Sequence, residues 1–205
     1  MIAKKMGVKT GEAIWEAKQK APGLITVPPD FQKYLRFSRL ARKILYDYTD
    51  QIEAFGLDEN WADVTGSLGL FGTGYDIAEK IRQRVKDELG VTVSIGVSFN
   101  KIFAKLGSDL KKPDAITAIS ADEFEKIVWP LPAGDLLYVG KATERKLRNL
   151  GVITIGGIAN CPVDVLTRLL GKWGEVLWLF ANGKDNAPVR KFDESASVKS
   201  IGNGT

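Results

Sequence analysis

The stretch from Tyr75 to Ser120 sets the tightest limit on the fold, because its apolar pattern changes period twice within a short span. Ile77, Ile81, Val85 and Leu89 recur every four residues with Arg, Lys and Glu between them. This predicts an amphipathic helix from Tyr75 to Leu89, stopped by Gly90. VTVSIGV, residues 91–97, is a β-branched run of strand length, which predicts a strand buried in a sheet. Ser98 can cap a second helix from Phe99 to about Leu110, with Phe99, Ile102, Phe103, Leu106 and Leu110 inward and Lys101 and Lys105 one turn apart. Lys112 and Pro113 end it before a short strand, AITAIS. Upstream, QIEAFGL and NWADVTG carry the residues that strands favour and read as the arms of a hairpin. Residues 51–120 therefore read as hairpin, helix, strand, helix, strand: an α+β layer with helices on one face of an antiparallel or mixed sheet.

The hairpin end places Asp58 and Glu59 side by side. Successive strand residues point to opposite faces, so adjacent acids line one surface only where a turn reorients them. Two close carboxylates repel, and a cation relieves the repulsion; taken alone, a solvated hairpin tip is the simpler account. Lys101, Lys105 and Lys112 follow a strand that should lie near these acids. Each alone reads as a surface lysine, but together with the acids they match what a metal–triphosphate substrate needs. FQKYLRFSRLARK, residues 31–43, holds five cations and no acid; helical spacing sets Phe37, Ala41, Ile44, Leu45 and Tyr48 against Arg36, Arg39 and Lys43. A solvated basic face accounts for it.

Composition removes whole classes of chemistry. The chain of 205 residues is 44% hydrophobic, enough for one large or two small domains. It has no histidine, which excludes the Ser-His-Asp triad, the Cys-His dyad and histidine zinc sites. The single cysteine, Cys161, excludes an internal disulfide framework and reads as core filler. A net charge of +4 is too mild to establish a nucleic-acid partner. No segment resembles a signal peptide or a membrane span, so a cytoplasmic protein without a membrane partner is expected.

WPLPAG, residues 129–134, reads as a linker, and the remainder of the chain reads as helical. In LLYVGKATERKLRNLG, residues 136–151, a Gly140 turn opens onto a helix whose polar face holds Lys141, Arg145 and Arg148. Free N–H groups at such a helix start suit a phosphate, the pattern of a helix-hairpin-helix motif. A purely structural αα-hairpin fits these residues equally well.

These segments together resemble one family. FGLDENWADVT is similar to the catalytic hairpin of the Y-family, or translesion, DNA polymerases, and SIGVSFNKIFAKLGSDLKKPDA to that family's next strand and helix. LLYVGKATERKLRNLG resembles its thumb hairpin, KKMGVKTGEAIWEAKQKAPGLITVP its fingers, and VKSIG the start of its little finger. The resemblance implies a fingers remnant at 1–30, a palm at 31–128, a helix-hairpin-helix thumb at 129–190 and a linker at 191–205 toward a missing little finger. It implies nucleotidyl transfer to a primer 3′-hydroxyl assisted by two Mg²⁺ ions, with Asp58 and Glu59 as catalytic metal ligands. Lys4 and Lys112 would bind the triphosphate, and Lys101, Lys105, Val139, Gly140, Lys141 and Thr143 would bind DNA. The implied partners are primer–template DNA and a deoxynucleoside triphosphate, with a sliding clamp as a further candidate.

The departures from the family pattern have consequences. Only 57 residues precede Asp58, too few for the strand that carries the family's first metal-binding aspartate. The chain is therefore expected to be a piece of a longer polymerase with an incomplete metal site and weak or no activity. Met1 stands in place of a triphosphate-binding tyrosine, Lys4 in place of an arginine, Gly56 of a serine, Asn60 of an alanine and Tyr138 of a turn glycine. Together these suggest a divergent bacterial branch. The alternative is a noncatalytic DNA-binding remnant of the same fold; a nucleotide-cyclase palm ranks lower, because Gly56 is followed by Leu57 rather than a second glycine.

Overall fold

The computed structural model of the chain describes residues 2–191. Met1 and nearly all of the expected linker, with its VKSIG motif, lie outside the described residues. The chain forms two compact units, one through Tyr34 and one from Leu35 onward. In the first, α1 (Ile2–Lys5) and α2 (Ile14–Lys20) are short helices. Glu12 ties the loop between them to α2, accepting from the Lys9 backbone N–H at 2.9 Å and pairing with Lys20. Helix α3 (Phe31–Tyr46) carries the basic stretch, and the Asp30 carboxylate caps its start by accepting from the Lys33 N–H at 3.0 Å. The expected faces hold: Ile44 and Tyr48 are buried, while Arg36, Arg39 and Lys43 are exposed.

The acid hairpin forms from β1 (Ile52–Phe55) and β2 (Glu59–Ala62), with Phe55 opposite Glu59 and Glu53 opposite Trp61. Its turn is Gly56–Asp58, one residue earlier than the sequence suggests, because Gly56 takes φ +80° and closes the chain there. Glu59 thus belongs to the strand and Asp58 to the turn. After α4 (Leu68–Phe71), helix α5 (Gly74–Leu89) begins in a reciprocal Thr73–Asp76 capping box and ends at Gly90, φ +67°. Its buried Ile77, Ile81 and Val85 form one core cluster with Ile44 and Tyr48.

The expected strand at 91–97 is shorter and later: β3 is Ile95–Ser98, pairing in parallel with β4 (Ile116–Ile119). Ser98 does not cap the next helix: it is the last residue of β3, paired with Ile119, and its hydroxyl donates to the Ile119 carbonyl at 2.8 Å. Asn100 does so instead, accepting from the Phe103 N–H at 2.8 Å, and α6 runs Lys101–Leu110. Phe99 therefore sits outside the helix and nearly half exposed, edge-on to Phe103, rather than buried as the pattern suggested. The described strands make two two-stranded sheets, one antiparallel and one parallel, with α6 packed against both β3 and β2.

Helix α6 lies close on β3 at two glycines. A Cβ on Gly96 would run into the Ala104 carbonyl oxygen, and one on Gly107 would come within 3.2 Å of the Gly96 Cα. The other side of α6 enters a second, larger core. Phe103 and Leu106 join Ile119 and side chains from α7 (Phe124–Val128), α8 (Lys141–Asn149), α9 (Ile155–Ala159), α10 (Val163–Leu170) and α11 (Lys172–Ala181). Residues 129–134 are a packed junction and not a free linker: Ala133 is buried and the Trp129 indole N–H donates to the Ala181 carbonyl at 3.0 Å. No described helix is long and apolar enough to cross a membrane.

Gly96→Ala should lower the unfolding free energy by about 3 kcal/mol, since the new methyl meets backbone that cannot rotate away. Gly66→Ala, with open space around it, serves as the control and should change little. Urea unfolding of both variants checks this.

Candidate functional site

Strand alternation puts Glu53, Phe55, Glu59 and Trp61 on one face of the hairpin, and α6 lies against it. The one-turn spacing of Lys101 and Lys105 matches the separation of the two acids on that face. Lys101 Nζ reaches Glu53 Oε2 at 3.0 Å, and Lys105 Nζ reaches Glu59 Oε1 at 3.0 Å. Trp61 locks the register of helix against hairpin, its indole N–H donating to the Lys101 carbonyl at 2.9 Å while the Lys101 ammonium stands 5.1 Å from the ring centroid.

Asp58 projects from the turn, exposed, and its carboxylate has no hydrogen-bond or ion-pair partner among the described residues. Beyond Glu59 the charges continue along α6. Lys105 also contacts Asp109 Oδ2 at 2.5 Å, and Asp109 Oδ1 accepts from Lys112 at 2.7 Å. Burial would lower the Lys105 pKa, but the hydrogen bonds to Asp109 and Glu59 outweigh it and hold the ammonium above the ordinary lysine value. Burial likewise would raise Asp109, and its two lysines hold it below the ordinary range. The loop after Lys112 is fixed by Asp114, which takes φ +55° and pairs with Arg82 at 2.7 Å and Lys86 at 2.8 Å.

The sequence-predicted residues thus divide. Asp58, Glu59, Lys105 and Lys112 form one continuous constellation. Lys101 is committed elsewhere, to the buried Glu53 and to the Pro188 carbonyl at 3.1 Å, so it does not offer a free ammonium to a nucleic acid. Lys4 is exposed on α1 in the first unit. In the segment expected to be a thumb, Gly140 is the N-cap of α8, with Lys141 exposed and Thr143 half-buried on its first turn. Among the described residues no side chain caps that end, and its first-turn N–H groups suit an anion. Val139 departs from the expectation: it is buried in the core and its N–H donates to the Leu136 carbonyl, so nothing of its donor capacity faces a phosphate. Tyr138, where the resemblance implies a glycine, takes φ +69°, the left-handed region that favours glycine, with its ring centroid 5.4 Å from that of Trp173.

Sequence reasoning missed Glu53, Asp109 and Arg190. Glu53 accepts from the Arg190 backbone N–H and from its guanidinium, each at 3.0 Å, as well as from Lys101. A charged residue on the inward face of a strand was the signal for Glu53. For Asp109 the signal was its spacing, four residues from Lys105 and three from Lys112. Nothing local marked Arg190.

Two adjacent carboxylates, one free and one balanced by a lysine, offer hard oxygen donors that suit Mg²⁺ or Mn²⁺, ions that take few protein ligands and fill the rest with phosphate and water. No cluster of three or more acidic, histidine or cysteine ligands occurs among the described residues.

Burial alone would raise the Glu53 carboxyl, and the hydrogen bonds from Arg190 and Lys101 outweigh this and hold it below the ordinary glutamate value. Its contribution to stability is therefore complete above the unfolded pKa of about 4.3 and is lost as pH falls through the lower folded value. Acidification across this range should destabilise the chain, and Glu53→Gln should show a shallower loss in urea midpoints. Equal slopes would assign the acid sensitivity to other carboxylates.

The impB/mucB/samB family model matches residues 1–109. The DNA polymerase IV of Acetivibrio thermocellus is 57% identical over 201 residues, covering 98% of this chain and 50% of that protein. Among solved structures, DinB from Sulfolobus solfataricus superposes with a TM-score of 0.83 at 32% identity, over 92% of this chain and 56% of that one. An insertion ternary complex of Dbh DNA polymerase gives a TM-score of 0.84 at 33% identity, over 92% and 55%. The chain spans about half the length of the relatives it matches. With more than half of its residues matched by the family model and nearly all of its described fold shared with these polymerases, the chain belongs to the impB/mucB/samB family, the Y-family polymerase domain that its motifs resemble.

Proposed function

We propose that this chain is the palm and thumb portion of a translesion DNA polymerase, with nucleotidyl transfer to a primer 3′-hydroxyl as the activity of the whole protein. The observation that carries this reading is the acid hairpin: an Asp58 without a partner among the described residues, beside Glu59, which leads through Lys105 and Asp109 to Lys112 in unbroken ionic contact. The names of the relatives support it, since the aligned proteins are DNA polymerases and one was solved as an insertion ternary complex.

In this reading Asp58 and Glu59 hold Mg²⁺. When bound, the metal polarises phosphoryl oxygens and offsets developing charge. Asp58 is available as it stands, whereas Glu59 has its Oε1 engaged by Lys105. Lys112, exposed just past the end of α6, takes a triphosphate oxygen, and the Arg82–Asp114–Lys86 cluster fixes the loop beyond it. Lys4 is assigned a second triphosphate contact. Residues 1–30 serve as a fingers remnant, 31–128 as palm and 129–190 as thumb. At α8 the free N–H groups of the first turn, with Gly140, Lys141 and Thr143, grip a DNA phosphate without reading bases.

Mn²⁺ titration followed by electron paramagnetic resonance tests the metal assignment. Asp58→Ala should weaken binding at least about tenfold, as loss of a direct ligand does, and unchanged binding would remove Asp58 from the site. For the thumb, Lys141→Glu should weaken duplex DNA binding across sequences and reduce the slope of log affinity against log salt by about 1. Retention of DNA binding in Asp58→Ala together with loss in Lys141→Glu is expected if the two functions are separate.

A further inference from the structure

Asp109 is a helix-surface carboxylate with an uncommon pair of obligations. Its Oδ2 accepts from Lys105 at 2.5 Å and its Oδ1 from Lys112 at 2.7 Å. Lys105 in turn lies between two carboxylates, Asp109 on its own helix and Glu59 on the hairpin, with the shorter contact to Asp109. Asp109 pairs with Lys105 within α6 and with Lys112 just past its end, whereas the contact of Lys105 to Glu59 joins the helix to the hairpin.

We propose that Asp109 is a positioning residue that draws Lys105 partly away from Glu59, and that a polyphosphate taking Lys112 strengthens this pull and readies Glu59 for a divalent cation. The inference rests on the reading of Asp58 and Glu59 as metal ligands. Its physical basis is charge sharing. The four groups, two carboxylates and two ammoniums, sum to zero. When a polyphosphate engages Lys112, the like-charge repulsion that Lys112 exerts on Lys105 across Asp109 falls, which favours Lys105 against Asp109 over Lys105 against Glu59. Lys105 is only 16% exposed, so salt and water screen this change less than at an open surface. Glu59 then loses part of its counter-ion and its oxygens open to a cation. Cation and triphosphate are thereby coupled through the protein, in addition to any contact between them.

A set of Mn²⁺ titrations on the 205-residue chain tests this, with folding of each variant checked by thermal melting. Asp109→Asn should weaken Mn²⁺ binding about threefold, since Lys105 then pairs with Glu59 alone. Lys105→Met should tighten binding, and adding Asp109→Asn to it should change nothing further. Asp109→Glu, which keeps the charge, should stay near the parent affinity. Lys112→Ala, imitating a lysine taken by phosphate, should tighten Mn²⁺ binding in the parent but not in Asp109→Asn. If Asp109→Asn costs the same with and without Lys105, Asp109 acts only as a distant charge and the positioning role is overturned while the metal reading stands. If Asp58→Ala leaves Mn²⁺ binding unchanged, the metal reading fails and takes this inference with it.

Discussion

The close seating of α6 on β3 at Gly96 and Gly107 is the contact on which the second unit depends. It fixes the height of the helix above the sheet. From there the apolar side of α6 sends Phe103 and Leu106 into the core that helices α7 to α11 complete, and its basic side meets the inward face of the hairpin. A bulkier residue at either glycine would lift the helix, with two unlike consequences: a void behind Phe103 and longer ionic contacts at Glu53 and Glu59. Packing density and site geometry are here set by the same two missing side chains.

The charges around the hairpin sort by burial into two kinds. Glu53 is buried and fully engaged by Arg190 and Lys101, an arrangement that fixes one geometry and cannot lose a partner cheaply. Glu59, Lys105, Asp109 and Lys112 grow progressively more exposed toward the end of α6, apart from the well-covered Lys105. Pairs of that kind hold loosely and trade partners. A rigid acid and an exchangeable one on the same face of one hairpin is a sensible division for a site that has to hold its shape and admit a charged ligand.

Most of the architecture was legible because it obeys periodicity and caps. The four-residue repeat of α5 and its Gly90 stop appear where the sequence puts them, as do the faces of α3. The illegible parts turned on competition between neighbours. Ser98 and Asn100 are both good helix caps, and the choice was made by strand pairing, which holds Ser98 in β3 beside Ile119 and leaves Asn100 at the helix start. Phe99 was displaced from the core as a result. Pro130, Pro132 and Gly134 made residues 129–134 look like a linker, yet Trp129 and Ala133 in the same stretch are anchored by residues far along the chain. At the site, the acid pair and its lysines were visible as a motif; which lysine pairs with which acid needed the hairpin register, and Arg190 could be found only in three dimensions.

The Arg190–Glu53 contact joins residues 137 apart and closes a loop that holds most of the second unit. Closing so long a loop carries an entropic cost, which the packing of the hairpin and of the helices between the two residues offsets. The contact works as a latch on that assembly. Releasing Arg190 would strip Glu53 of two of its hydrogen bonds and leave a buried carboxylate with Lys101 as its remaining counter-ion. Loosening that began near Arg190 would therefore be felt at the hairpin, and these two distant stretches of the unit share one cooperative fate.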